Sequence, residues 1–335
     1  MLKKAKSFLF QVLKISFSVG LIYWLVKTDK LDLRSLPLLF QWPLVLYSFL
    51  LLITGIGFIS ERWYRLLSSQ KNIENSPITR LEIFKLTMMG LFFNFSMPGG
   101  VGGDLVKAFF FYRDHRELKV AAATSVVMDR ILGLYAMIIM AFISMLTQID
   151  LILSIGPLKF LFFAITSAFF IATGGLGLLF SRRLHKTGWV HQLLNWLPFT
   201  EKTHKLYESL HLYGASKKTL GISVLLSLCA QTTSVFFIYF LSQSLGFSLD
   251  LLSHFVVAPL GFIATALPIS PAGIGVGQAA FYYLYKTLTQ VDSQIGSLTI
   301  TGFQVSTFLL SLIGALFYIS RKDRIKNQNI EDVMS

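Results

Sequence analysis

Six apolar runs, at about 8–26, 37–60, 120–146, 158–180, 219–242 and 296–319, reach the length of roughly 20 residues that a bilayer-crossing helix needs. Two further apolar regions, 83–112 and 251–285, are interrupted by Pro and Gly. The halves of the first, 83–97 and 105–112, are short for independent spans. The pattern predicts an all-α polytopic membrane protein with eight hydrophobic segments: six full spans and two Gly/Pro-broken hairpins. The whole chain, 1–335, reads as one integral membrane domain.

Composition agrees. The 335 residues are 54% hydrophobic and 14% charged, against roughly 25% charged in an ordinary soluble domain. The mean hydropathy is +0.63. The net charge of +13 is not the footprint of a nucleic-acid binder, because Lys and Arg fall in short clusters between apolar runs. Cys229 lies alone inside such a run, which excludes an intrachain disulfide. Lys3, Lys4 and Lys6 before the first run resemble a signal peptide. That run is long, however, and meets Lys27-Thr28-Asp29 with no small-x-small cleavage site, so it reads as an uncleaved first span. Lys14 within it is expected to face the protein interior or to snorkel.

Positive charge sets the orientation. Clusters at the N-terminus, at Arg62, Arg65, Lys71 and Arg80, at Arg113, Arg116 and Lys119, throughout 181–218, and at Arg321, Lys322, Arg324 and Lys326 are read as cytoplasmic. Glu61 and Arg62 then mark the cytoplasmic end of the second span. The connections 147–157 and 243–250 contain no Lys or Arg and are read as exterior. Both termini, including the tail 320–335, would be cytoplasmic, in the cell (inner or plasma) membrane. On this assignment 83–112 enters and leaves from the cytoplasm, and 251–285 dips in from outside. Residues 37–146 and 219–319 then form inverted-topology repeats, the plan of many transporters. Within 181–218, Trp189, Leu193, Trp196 and Leu197, then Leu206, Leu210 and Tyr213, recur at helical spacing. They suit helices lying in the membrane interface, or a soluble loop with a few packed aromatics.

The two breaks carry the candidate chemistry. The first runs from Asn94 through Pro98, Gly99, Gly100, Gly102, Gly103 and Asp104 to Lys107, and the second from Pro268 through Ser270, Gly273 and Gly275 to Gln278. Irregular backbone at membrane depth is tolerated only where protein buries it or a cavity meets it. Paired breaks in corresponding halves point to a transporter's binding site. Each break is expected to end in a half-helix with free N–H groups suited to an anionic lipid headgroup. The plainer alternative is that the glycines allow close helix packing. Asp104 is positioned to cap a helix beginning at Leu105. Asp129 and Arg130 lie inside the span 120–146, where charge is costly and is usually paired. Adjacent helical positions do not face each other. The pairings expected are Asp104 with Arg130 and Lys107 with Asp129, either as a structural ion pair or as a phosphate site. Gln231 and Gln304 read as interhelical hydrogen bonds, and His254 as interfacial.

Asn94, Pro98, Gly102-Gly103-Asp104, Asp129-Arg130 with Gly133, and Pro268 with Gly273-x-Gly275 together resemble the lysylphosphatidylglycerol synthase transmembrane-domain family, also called flippase-like or UPF0104 membrane proteins. The resemblance covers nearly the whole chain. It implies an integral membrane protein with a lipid-translocating role. In the aminoacyl-phospholipid synthases a soluble catalytic domain follows this one. Only residues 320–335 follow the last span here, so that domain is expected to be missing. Gln278 stands where relatives often have Glu, and Asp129 also often corresponds to Glu.

Three functions fit. The first is a lipid translocase passing a headgroup between the repeats. The second is a membrane-embedded transferase acting on a lipid-linked group, and the third is a non-catalytic membrane partner of a lipid-modifying synthase. The sequence holds no metal-ligand spacing, P-loop or nucleotide fingerprint, so no cofactor, metal or catalytic residue is expected. The candidate substrate-binding residues are Asn94, Gly99, Gly100, Gly102, Gly103, Asp104, Lys107, Asp129, Arg130, Ser270, Gly273, Gly275 and Gln278.

Overall fold

A computed structural model describes residues 2–32, 34, 44–70, 78–96, 102–181, 200–246, 249–267 and 269–334. Gly99, Gly100, Pro98, Pro268, the stretch 189–197 and the start of the second predicted span at 37–43 lie outside the described residues, as does the side chain of Lys14. Among the described residues there are twelve α-helices and no strand. The first seven are α1 (Leu2–Lys27), α2 (Leu44–Ser68), α3 (Arg80–Ser96), α4 (Gly102–Asp114), α5 (Lys119–Thr147), α6 (Ile149–Ser154) and α7 (Gly156–Phe180). The remainder are α8 (Thr200–His211), α9 (Lys217–Ser244), α10 (Leu251–Ala266), α11 (Val276–Thr289) and α12 (Ile295–Met334). Short 3-10 turns occupy Arg116–Leu118, Leu212–Ala215 and Pro271–Gly273.

The protein is an all-α polytopic membrane protein. Four helices among the described residues are long and apolar enough to cross a bilayer: Arg116–Thr147, Gly156–Phe180, Lys217–Ser244 and Ile295–Arg321. The third of the predicted spans is α5, the fourth α7, the fifth α9 and the sixth the apolar part of α12. Only 6% of the apolar window of α7 is buried by protein. A helix apolar on all faces with so little protein cover relies on lipid as its solvent.

Both interrupted regions fold as antiparallel helical hairpins. In the first, Asn94 reaches Gly103 near the tip and Glu82 reaches His115 near the base. In the second, Phe262 packs on Phe281 and His254 on Tyr285. α3 has 17 residues and α4 has 13. At about 1.5 Å per residue neither matches the ~30 Å hydrocarbon core.

Contacts between helices are reciprocal. α2 packs along α9, the first helix of one hairpin (α3) packs on α12, and the first helix of the other (α10) packs on α5. Lipid gives helices no hydrophobic drive to associate, so small residues that admit close backbone approach take over that role. At Gly103 a Cβ would lie 1.9 Å from the Gly90 carbonyl oxygen, at Gly314 it would lie 2.0 Å from that of Met88, and at Gly55 it would lie 2.6 Å from Thr233 Oγ1. The packing explanation of Gly103 therefore holds.

Two features refine the expectation. α2 continues past residue 60 to Ser68, because Trp63, Leu66 and Leu67 are fully buried and extend its apolar face. Arg62 thus sits inside the bundle instead of marking the end of a span. In the segment 181–218, α8 and its 3-10 extension turn Leu210 and Tyr213 onto Leu66, Met128 and Leu132, so this face rests on α2 and α5. Burial pushes the Tyr213 phenol above its usual range and keeps it neutral. His254 is fully buried in protein and is held between Ser242 Oγ at 2.7 Å and the Asp250 carbonyl at 2.8 Å.

The glycine contacts make a checkable contrast. Gly103→Ala places a methyl against rigid backbone and is expected to cost at least the ~1–3 kcal/mol of an overpacked core. Gly174 in α7 meets nothing within 4 Å, so Gly174→Ala should leave stability unchanged or slightly raised. Thermal unfolding of the two variants in detergent checks the difference.

Candidate functional site

One chain of charged side chains joins four helices. Asp129, about 15 Å along α5 from its start, lies 97% out of solvent contact and accepts at both carboxylate oxygens. Its Oδ1 takes a hydrogen bond from Arg62 Nε of α2 at 2.7 Å, and its Oδ2 one from Lys107 Nζ of α4 at 3.1 Å. Lys107 Nζ also lies 3.2 Å from Asp104 Oδ1. The other oxygen of Asp104 accepts from Arg130 Nε. At the far end, Arg62 Nη1 donates to Ser227 Oγ of α9 at 2.7 Å.

Neighbouring side chains fix this geometry. The Lys107 ammonium lies 4.7 Å from the centre of the Trp63 ring, a cation–π position. Trp63 is itself held by donating to Ser125 Oγ at 3.1 Å. Gly133 leaves room for the Arg62 guanidinium, since a Cβ there would stand 3.2 Å from Nη1. The pairs Asp104–Arg130 and Lys107–Asp129, expected from the sequence, are both present.

The five groups differ in exposure. The side chains of Arg62, Asp104, Lys107 and Asp129 are 4–8% exposed, whereas that of Arg130 is 49% exposed. Three cations against two carboxylates leave the cluster with one surplus positive charge. All five line a cavity of about 380 Å³, together with Asn94 and Gln231. A second cavity of about 210 Å³ lies beside the tip of the second hairpin and is lined by Ser270, Gly273, Gln304 and Thr307. Asn94 and Arg130 line both.

A family model described as the lysylphosphatidylglycerol synthase TM region matches residues 11–314. The chain belongs to that family. No curated protein and no solved structure matches it.

In this member of the lysylphosphatidylglycerol synthase TM family, a side chain occupies one backbone N–H at each break. The Gly103 N–H donates to Asn94 Oδ1 at 3.0 Å, and the Gly275 N–H donates to Gln278 Oε1 at 2.7 Å. The expectation of free N–H groups at these two positions is corrected by side chains that reach back across each break. Asp104 is likewise not the cap of a helix starting at Leu105. α4 starts at Gly102, and Asp104 stands in its first turn, where a carboxylate also complements the helix dipole.

The remaining candidates divide by position. Asn94, Asp104, Lys107, Asp129, Arg130, Ser270 and Gly273 line one or both cavities. Gly102, Gly103, Gly275 and Gln278 line neither. Gly275, at φ +86°, packs on Ser18 and Leu21 of α1. Gln278 Nε2 donates to Thr301 Oγ1 at 3.1 Å and to Gln304 Oε1 at 2.7 Å, tying α11 to α12. Among the described residues no group of three His, Cys, Asp or Glu is arranged to hold a metal.

Sequence reasoning missed Arg62 as a member of the cluster. The signal available was the apolar pair Leu66-Leu67 one turn later, which extends the helix and carries Arg62 inward with it.

Removing Arg62 leaves Asp129 with a single cation in a buried site, and breaking a buried pair costs about 3–5 kcal/mol. Arg130 is half-exposed, and the pairs of such groups contribute about 0–1 kcal/mol. Arg62→Met should therefore lower the detergent unfolding temperature sharply, whereas Arg130→Met should barely move it.

Proposed function

We propose that this protein is a lipid translocase of the cell (inner or plasma) membrane, with both termini cytoplasmic. It passes a phosphate-bearing headgroup along the two cavities that meet at Arg130 while the acyl chains stay in the bilayer. The observation that carries this reading is the surplus positive charge of a buried five-member cluster whose one half-exposed cation lines both cavities. A guanidinium matches phosphate oxygens with paired N–H donors. The phosphate takes the place of Asp104 on Arg130, and Asp104 keeps its contact with Lys107. Exchanging one ion pair for another avoids stranding a charge in low dielectric. Charged side chains at this depth are costly unless paired, and they mark substrate paths in membrane proteins.

In this reading α3–α4 and α10–α11 are re-entrant hairpins, the first entering from the cytoplasm and the second from outside. Residues 37–146 and 219–319 are the two inverted repeats. The reciprocal packing of α2 on α9, α3 on α12 and α10 on α5 supports this arrangement, because a two-fold relation between repeats generates such pairs.

The purified protein in liposomes should expose acyl-labelled phospholipid on both leaflets to a membrane-impermeant quencher. Arg130→Ala and Asp104→Asn should cut that exchange by about tenfold or more, while unfolding temperatures stay near wild type for Arg130→Ala. Wild-type protein that moves neither labelled phospholipid nor polyprenyl phosphate overturns the reading. For topology, single cysteines placed at 98–104 should react with an impermeant thiol reagent from the cytoplasmic side. Reaction from the exterior alone removes the re-entrant arrangement.

A further inference from the structure

A cavity of about 480 Å³ lies at the base of the first hairpin, away from both breaks. It shares no residue with the cavity of the charged cluster, although α3 contributes to both. Thr87, Gly90 and Asn94 line the cluster's cavity, whereas Leu81, Lys85 and Met89 line this one. The other walls come from the end of α4 and from the end of the apolar part of α12.

Three cations line it, one from each helix: Lys85 of α3, Arg113 of α4 and Arg321 of α12. Both arginines reach Asp114, and both guanidiniums approach the Phe110 ring, to 4.8 and 5.3 Å from its centre. One carboxylate thus serves two guanidiniums. The other acid of the cavity, Glu82, is turned to His115 at 3.2 Å. Lys85 lies 5.9 Å from the centre of the Phe317 ring and has no carboxylate partner among the described residues. Three cations therefore face two carboxylates, and both carboxylates are already engaged.

The inner wall is apolar. Leu81, Met89 and Phe317 line it, and Leu81 is 62% exposed. From Glu82 to Met89 the cavity follows about two turns of α3, about 10 Å along the axis. A charged mouth over an apolar wall of that length fits a phosphate with the start of an acyl chain beneath it. Basic pockets between membrane helices take anionic headgroups in this way. A phosphate offers oxygens to all three cations at once.

We propose that this cavity binds a phospholipid of the leaflet that meets the hairpin base, held by its phosphate group, and that the bound lipid clamps the first hairpin to α12. This site is separate from the translocation path and does not depend on the translocase reading. The Asp114–Arg321 pair joins α4 to α12, and the phosphate adds α3 to that tie through Lys85.

The test uses the full chain carrying Arg130→Met, which removes the half-exposed cation of the proposed transport path. Three probes separate the parts of the ligand: phosphatidic acid, diacylglycerol without the phosphate, and glycerol 3-phosphate without the acyl chains. Native mass spectrometry of detergent-purified protein measures retention, and thermal unfolding measures the clamp. Phosphatidic acid should be retained and should raise the unfolding temperature, since a ligand of the folded state stabilises it by mass action. Neither of the other two should do so at the same concentration. Lys85→Gln and Arg113→Gln should each lower phosphatidic acid retention about three- to tenfold, the range for a partly exposed charge pair. Lys119 is an exposed cation outside the cavity, so Lys119→Gln should leave retention unchanged. Lys85 is also exposed, so Lys85→Gln should unfold as its parent does when lipid is absent. Equal retention of diacylglycerol overturns the proposal, as does a loss with Lys119→Gln as large as with Lys85→Gln. A glycerol 3-phosphate response equal to that of phosphatidic acid overturns the lipid assignment. Retention with no rise in unfolding temperature overturns the clamp.

Discussion

A single carboxylate, that of Asp129, holds the centre of this protein together. It cannot be buried as an anion unless cations reach it, and the two that do come from α2 and α4. Arg62 extends the tie to Ser227 on α9, and Lys107 extends it to Asp104. The docking of the first hairpin against two long helices is thus an electrostatic requirement as well as a packing outcome. The cost of a buried pair is recovered only when its remaining donors and acceptors are also satisfied. Trp63, Ser125 and Gly133 serve that end by fixing where Lys107 and Arg62 can sit. The surplus positive charge appears at Arg130, the one member of the chain that solvent reaches.

Packing around this centre follows the rule for helices in lipid. Gly90 against Gly103, Gly314 against Met88 and Gly55 against Thr233 bring backbones together where no side chain could stand. Aromatic side chains then fill the wider spaces. Trp63 meets Phe111 edge-on, and Phe303 contacts both Phe237 and Phe262. These contacts join α12 to α9 and α10.

Much of this was legible in the sequence, and the reasons are physical. Long apolar runs can be little other than membrane helices, and charges inside such runs must be paired, which pointed to Asp104 with Arg130 and Lys107 with Asp129. Arg62 escaped because it stands in a cluster of basic residues. Charge clustering alone reads the same whether a residue faces water or a buried carboxylate. The N–H groups of Gly103 and Gly275 were misread for a related reason. Composition shows that a break has glycines, but not that Asn94 and Gln278 fold back onto the N–H groups of Gly103 and Gly275. Ser270 was named for its place in the break. That its Oγ meets no partner among the described residues depends on neighbours from α3, α10 and α12 that are remote in sequence.

The shared cluster also bears on how the protein is put into the membrane. α4 is 13 residues long and carries Asp104 and Lys107. Each charge opposes insertion of an isolated helix by about 2.5–3.5 kcal/mol. α4 has too little apolar length to offset that by itself. Lys107 has Asp104 beside it within α4, but its second carboxylate, that of Asp129, arrives with α5, fifteen or more residues later in synthesis. The charges of the first hairpin are therefore fully paired only once α5 has been made, which ties the completion of this hairpin to residue 129.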